Sequence, residues 1–192
     1  MELSPRFEQA LQYASILHAG QLRKGTSVPY ISHLLAVAGI VLENGANEDE
    51  AIAALLHDVV EDAGGQRRLA DIRARFGEVV AAIVDACTDA DVIPKPPWRA
   101  RKEKHLAHLR KASPSVRLVT AADKLHNARS VLSGYRELGE SLWERFNGKK
   151  EGTLWYYREM AKALEAGGRT PLTEELRRTV EELHRLAGSN EF

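Results

Sequence analysis

Apolar residues recur every three or four positions along most of the chain and almost nowhere in strict alternation, which predicts helices throughout and no strands. Ser4-Pro5 reads as a cap followed by proline at the first helical position. Phe7, Ala10, Leu11, Ala14 and Leu17 then carry a first helix to about Ala19. The polar stretch from Gln21 to Pro29, with Gly25 and Pro29, interrupts the pattern before a second helix bearing His33, Val37, Ile40 and Val41, which Asn44-Gly45 ends. Asn47 with Glu50 three residues later makes a capping-box start for a third helix. Its Ile52, Ala53, Leu55, Leu56, Val59 and Val60 form a broad apolar surface, so this helix is expected to be central.

Gly64-Gly65 stops that helix. Leu69, Ile72 and Phe76, then Val79, Val80, Ile83 and Val84, mark two more helices separated by Gly77. Pro94, Pro96 and Pro97 interrupt the chain before a strongly basic helix from Trp98 to Lys111. Ser113-Pro114 opens another through Val116, Leu118, Val119, Ala122 and Leu125, on which Asp123 and Asn127 lie one turn apart. An aromatic-rich helix spans Leu154 to Leu164, and Thr170-Pro171 starts a last helix over 170–188 after the Gly167-Gly168 break. The expected fold is all-α, one domain over residues 1–192 with roughly eight to ten helices.

Length and composition fit that expectation: 192 residues with 44% apolar content hold enough material for one continuous core. Lysine plus arginine equal aspartate plus glutamate at 27 each, so no global field recruits nucleic acid or an anionic membrane surface. The only cysteine, Cys87, has no internal disulfide partner, which suits a reducing cytoplasm. The N-terminus lacks a basic segment followed by an apolar run, and no apolar stretch reaches bilayer-spanning length, so a soluble, unexported chain is expected.

Against this background His57-Asp58 stands out, because it interrupts the most apolar run. A histidine and a carboxylate are costly to bury side by side unless something satisfies them, and a metal ion would do so. His33 and Asp123 are likewise polar residues on apolar helices. Singly, each reads as an ordinary buried hydrogen-bonding residue. Together, two imidazoles and two carboxylates form a mixed nitrogen and oxygen set suited to manganese, iron or a similar divalent ion with positions open to water. Glu61 and Asp62 follow the pair by four residues each, so both carboxylates are expected to stack one turn along the metal-facing edge. There they would orient or deprotonate a water whose pKa the metal lowers.

The same residues carry a family resemblance. Arg23-Lys24, Pro29-Tyr30-Ile31-Ser32-His33, Ala53 to Asp62, Arg101-Lys102, and Ala122 to Asn127 resemble the hydrolase half of the RelA/SpoT homologues. The closest likeness is to the stand-alone small alarmone hydrolases of the HD superfamily, over roughly residues 6–165. The resemblance implies an HD-type helical bundle in which His33, His57, Asp58 and Asp123 hold manganese while Glu61 and Asp62 act on the attacking water. It also implies that Arg23, Lys24 and Asn127 contact a guanine nucleotide and that Lys102 helps hold its phosphates. The sequence departs from the family pattern at Leu34, where many relatives have proline, and in a slightly longer segment from Arg23 to Tyr30.

The expected activity is hydrolysis of the 3′-diphosphate of guanosine tetra- or pentaphosphate. No synthetase half follows the match, so the activity is expected to be degradative only. Alternatives are an HD phosphohydrolase for another nucleotide, such as an adenosine alarmone or a nucleoside phosphate, and a nucleotide-binding sensor that has lost catalysis. Independently of the resemblance, Arg145, Asn147, Lys149 and Lys150 precede Trp155-Tyr156-Tyr157, setting phosphate donors beside aromatic surface. Arg145, Lys150 and Tyr156 are therefore candidate substrate contacts, the alternative being a solvated basic loop before core aromatics.

Overall fold

Capping residues place the helices. The computed structural model describes residues 2–89 and 96–189, so the interruption expected at Pro94 lies outside the described residues. Among these residues the chain forms α1 (Pro5–Leu17), α2 (Ile31–Glu43), α3 (Glu48–Leu56), α4 (Val59–Ala63), α5 (Gly65–Phe76) and α6 (Glu78–Cys87). There follow α7 (Trp98–Leu109), α8 (Pro114–Leu138), a 3-10 helix η1 (Gly139–Arg145), α9 (Lys149–Glu165) and α10 (Pro171–Leu186). No strand is present among them beyond an isolated antiparallel bridge between Leu22 and Pro29, and no helix is long and apolar enough to cross a membrane. The all-α expectation holds.

Contacts divide the chain into two compact units. One holds α1 to α6 and the start of α8 up to Ala122; the other holds α7 and the chain from Asp123 through α10. In the first, α3 is the central element, packed by α1, α2 and α6, and every side chain from Ala51 to Leu56 is buried. The capping box opens this helix: Glu50 N–H donates to Asn47 Oδ1 at 3.0 Å, and Asn47 N–H donates to Glu50 Oε2 at 2.8 Å. Two backbone donors that the helix leaves without carbonyl partners are thereby satisfied. Arg6 pins the same end, donating to Asp49 Oδ1 at 2.8 Å and to the Phe76 carbonyl at 2.7 Å, so that α1, α3 and the end of α5 meet at one guanidinium.

Three boundaries differ most from expectation. The aromatic helix begins at Lys149, ahead of the expected Leu154, and so takes in Lys149 and Lys150. The first helix stops at Leu17 rather than about Ala19, because His18 turns its ring toward Gln21 and Gly20 takes a left-handed φ of 78°. More important, the third helix is not continuous through His57-Asp58: these residues form the turn that joins α3 to α4. The cause is local. His57 Nδ1–H donates to the Ala54 carbonyl at 2.8 Å, the acceptor that residue 58 would use in an uninterrupted helix. Asp58 settles at φ −96°, ψ −6°, off the helical values.

In the second unit α9 packs against α7, α10 and η1. The Trp98 ring lies so close to Gly148 that a Cβ there would meet ring carbons at 2.7 and 2.8 Å, so glycine is required at that position. Thr170 caps α10 as its sequence suggests, accepting from Thr173 N–H at 3.2 Å.

Removing the α3 cap has a calculable effect. Asn47→Ala should cost about 1 kcal/mol and lower the thermal midpoint by about 2–4 °C, measured by calorimetry; an unchanged midpoint would refute the cap's contribution.

Candidate metal centre

The end of α3 and the start of α2 bring three side chains to one point in the first unit. His33, on the inward face of α2, has no solvent exposure, and His57 is 3% exposed. His57 Nε2 lies 3.0 Å from Asp58 Oδ2, and His33 Nε2 lies 3.5 Å from the same oxygen. The two imidazoles meet edge to face at 5.3 Å. Tyr30, at the start of α2, donates its hydroxyl to that carboxylate oxygen at 2.6 Å.

The chemistry of this set fits a divalent ion. A carbonyl can only accept, so the bond to Ala54 places the His57 proton on Nδ1 and leaves the Nε2 lone pair directed at the cluster. The three donor atoms lie within 4.8 Å of one another. Separations of 3.0 and 3.5 Å are those of neighbouring ligands on one ion with bonds of about 2.0–2.2 Å. Neutral imidazole with carboxylate suits a transition metal that retains water, not a closed thiolate site.

The turn at His57-Asp58 also sets the next two carboxylates. Glu61 is half-buried on α4, whereas Asp62 keeps solvent contact. Gln21 Nε2 donates to Asp62 Oδ2 at 2.9 Å, and the other end of that amide, Oε1, accepts from His18 Nδ1 at 2.6 Å. Surrounding protein removes water from around Asp62 and raises its pKa; the Gln21 hydrogen bond opposes this, the charges of Asp58 and Glu61 add to it, and His18 opposes it.

The segment between α1 and α2 is a tight hairpin. Arg23 N–H donates to the Val28 carbonyl at 2.8 Å, and Tyr30 N–H donates to the Gln21 carbonyl at 2.8 Å. It holds the Arg23 guanidinium 5.7 Å from the centre of the Tyr30 ring and leaves Lys24 exposed near its tip.

The remaining candidates belong to the second unit. Asp123 is buried on α8, accepts from Asn127 one turn on, and forms an ion pair with Lys124 at 2.6 Å. Burial alone would lower the Lys124 pKa, but the Asp123 carboxylate, with Tyr156 and Tyr157, raises it well above its ordinary value. Lys102 lies over the face of buried Tyr156 at 4.9 Å, a cation–π contact. Lys150 pairs with Glu140 at 2.7 Å and, with Arg99, Trp155, Arg158 and His184, lines a cavity of about 780 Å³. Arg145 ends η1 and is not among that cavity's lining residues.

Three participants escape sequence reasoning: Tyr30, Gln21 and His18. Tyr30 and Gln21 sit in the polar stretch and its border, where no periodicity singles them out. His18 reads from the sequence as a surface or packing residue outside the ligand set; it is 3% exposed and stacked on Tyr30 at 5.1 Å with 16° between the rings.

Comparison with known proteins agrees with this geometry. The HD domain family matches residues 10–153, and the chain belongs to that family, whose members are metal-dependent phosphohydrolases. The chain is 38% identical over 126 residues to guanosine-3′,5′-bis(diphosphate) 3′-pyrophosphohydrolase MESH1 of Xenopus tropicalis, covering 64% of this chain and 68% of that protein. The Drosophila melanogaster MESH1 is 35% identical over 131 residues, 67% of this chain and 70% of its own length. A Streptomyces coelicolor GTP pyrophosphokinase is 35% identical over 160 residues, which are 83% of this chain but only 18% of that longer protein. Among solved structures, a metazoan SpoT orthologue described as hydrolysing ppGpp superposes with a TM-score of 0.79 at 26% identity, covering 95% of this chain and 98% of the other. A Listeria monocytogenes EGD-e protein superposes with a TM-score of 0.72 at 31% identity over 80% of this chain.

The Tyr30 hydroxyl gives this centre a testable outer contact. Tyr30→Phe keeps the ring stack but removes the donor to Asp58, and should weaken divalent-metal affinity about tenfold in a titration followed by calorimetry; unchanged affinity would assign the hydroxyl no part in positioning the carboxylate.

Proposed function

We propose that this protein is a (p)ppGpp 3′-pyrophosphohydrolase. The observation that carries the reading is the cluster of buried His33 and His57 with half-buried Asp58, the His57 tautomer fixed for coordination, in a chain that matches MESH1 enzymes over two thirds of their length. Water attacks the phosphorus bonded to the 3′ oxygen of guanosine tetra- or pentaphosphate. That P–O bond breaks, pyrophosphate departs, and the 3′ oxygen takes up a proton to leave GDP or GTP.

His33, His57 and Asp58 hold the ion, and Asp123 completes the set. The Asp123 assignment is supported by its burial and by the family motif that runs from Ala122 to Asn127. The mixed nitrogen and oxygen donors favour Mn²⁺ or another divalent transition metal. When bound, such an ion lowers the pKa of water and offsets charge on the phosphoryl group. Glu61 and Asp62 orient the attacking water and accept its proton.

Arg23 and Lys24 contact the guanine nucleotide at the hairpin, Asn127 assists beside Asp123, and Lys102 with Tyr156, Lys150 and Arg145 supplies phosphate and aromatic contacts. Support for these roles is the Arg23 stack on Tyr30, the Lys102 stack on Tyr156 and the cationic lining around Lys150. A cytoplasmic setting belongs to the same reading, since one cysteine leaves no internal disulfide to form.

The test is product analysis. Purified protein with Mn²⁺ should convert guanosine tetraphosphate to GDP and pyrophosphate, resolved by chromatography; turnover of adenine alarmones alone would overturn the guanine assignment. His57→Ala and Asp58→Ala should lose metal and activity together, and Asp123→Asn should lower metal content. Glu61→Gln should keep its metal while kcat falls about 10²- to 10⁴-fold, and full turnover would remove that carboxylate from the mechanism.

A further inference from the structure

We propose that His18 is a positioning residue for Asp62, acting through Gln21 as a directed chain of N–H donors. The chain rests on two short contacts, His18 Nδ1 to Gln21 Oε1 at 2.6 Å and Gln21 Nε2 to Asp62 Oδ2 at 2.9 Å.

The direction follows from what each atom can do. An amide oxygen only accepts, so His18 carries its proton on Nδ1. Which way round the amide sits is fixed at its other end: a carboxylate only accepts, so the NH₂ faces Asp62 and the oxygen is left to the ring N–H, which then holds the amide in that orientation. Rotated by half a turn, the amide would aim its oxygen at Asp62 and repel it. One ring proton therefore holds an attractive contact in place of a repulsive one.

The ring is itself held in place. His18 is 3% exposed and stacked on Tyr30, whose backbone is fixed to Gln21 by the hairpin bond at 2.8 Å. Asp62, by contrast, keeps solvent contact and would otherwise sample several rotamers. Anchoring Oδ2 leaves Oδ1 as the oxygen presented to water. This role rests on the reading that Asp62 acts on the attacking water.

Two substitutions separate the donor from the ring. His18→Phe keeps the stack and loses the N–H; His18→Asn loses the ring but offers an amide N–H at nearly the reach of Nδ1. His18→Phe should lower kcat about tenfold with KM and bound metal unchanged, and His18→Asn should recover most of that loss. Gln21→Met, at a half-buried site that tolerates its shape, should reproduce the His18→Phe loss.

A second readout needs neither metal nor turnover. In metal-free protein the Gln21 side-chain amide resonances should move in His18→Phe and stay near their wild-type positions in His18→Asn. Wild-type kcat in His18→Phe, or equal impairment in His18→Asn, overturns the proposal. Asp62→Asn serves as the control. Full turnover there sinks the role of Asp62 and this inference with it, whereas slow turnover there with a normal His18→Phe sinks the inference alone.

Discussion

The hydrogen bond from the His57 ring to the Ala54 carbonyl is the constraint on which the rest of the centre depends. It engages the carbonyl that residue 58 would use in an uninterrupted helix, at the point where α3 ends and the chemistry begins. It also fixes the tautomer, since the proton committed to Ala54 is unavailable at Nε2. A backbone irregularity and a coordination-ready lone pair thus share one cause. The cost of the break is small because the α3 side chains on its N-terminal side are already buried against α1, α2 and α6.

Around that point the protein supplies donors in a graded way. Asp58 Oδ2 collects the Tyr30 hydroxyl and faces both imidazoles, while Asp62 is reached through the side chains of the preceding hairpin. The hairpin is held by backbone bonds across its base, so Tyr30 and Gln21 are carried by one small structure. Arg23 leans on the same Tyr30 ring. The Arg23 guanidinium and the Asp58 carboxylate therefore share a single aromatic support.

Much of the architecture is legible in the residues. Proline at the first turn removes a backbone donor, the Asn47 capping box satisfies two, and the glycine breaks supply positive-φ backbone, so each announces a helix boundary. His33, His57 and Asp58 are conspicuous because polar side chains interrupt apolar runs, and the structure brings those three together. What periodicity does not reveal is the break at His57-Asp58, since the competing acceptor bond comes from a rotamer and not from a pattern. The parts played by Tyr30, Gln21 and His18 are hidden for a related reason: they depend on a hairpin whose polar residues look like solvent-facing loop. The stretch before the aromatic cluster is also not the loop its charges suggest, because Arg145 ends η1 and Lys149 and Lys150 already open α9.

His33, His57 and Asp58 come from elements that follow one another directly, α2, α3 and the turn after it. Contacts of such short sequence separation close cheaply in chain entropy. All three side chains are made before α5 and everything beyond it. Bringing them together closes no long loop, so a divalent cation held by them would act on the folding chain through contacts that are local in sequence.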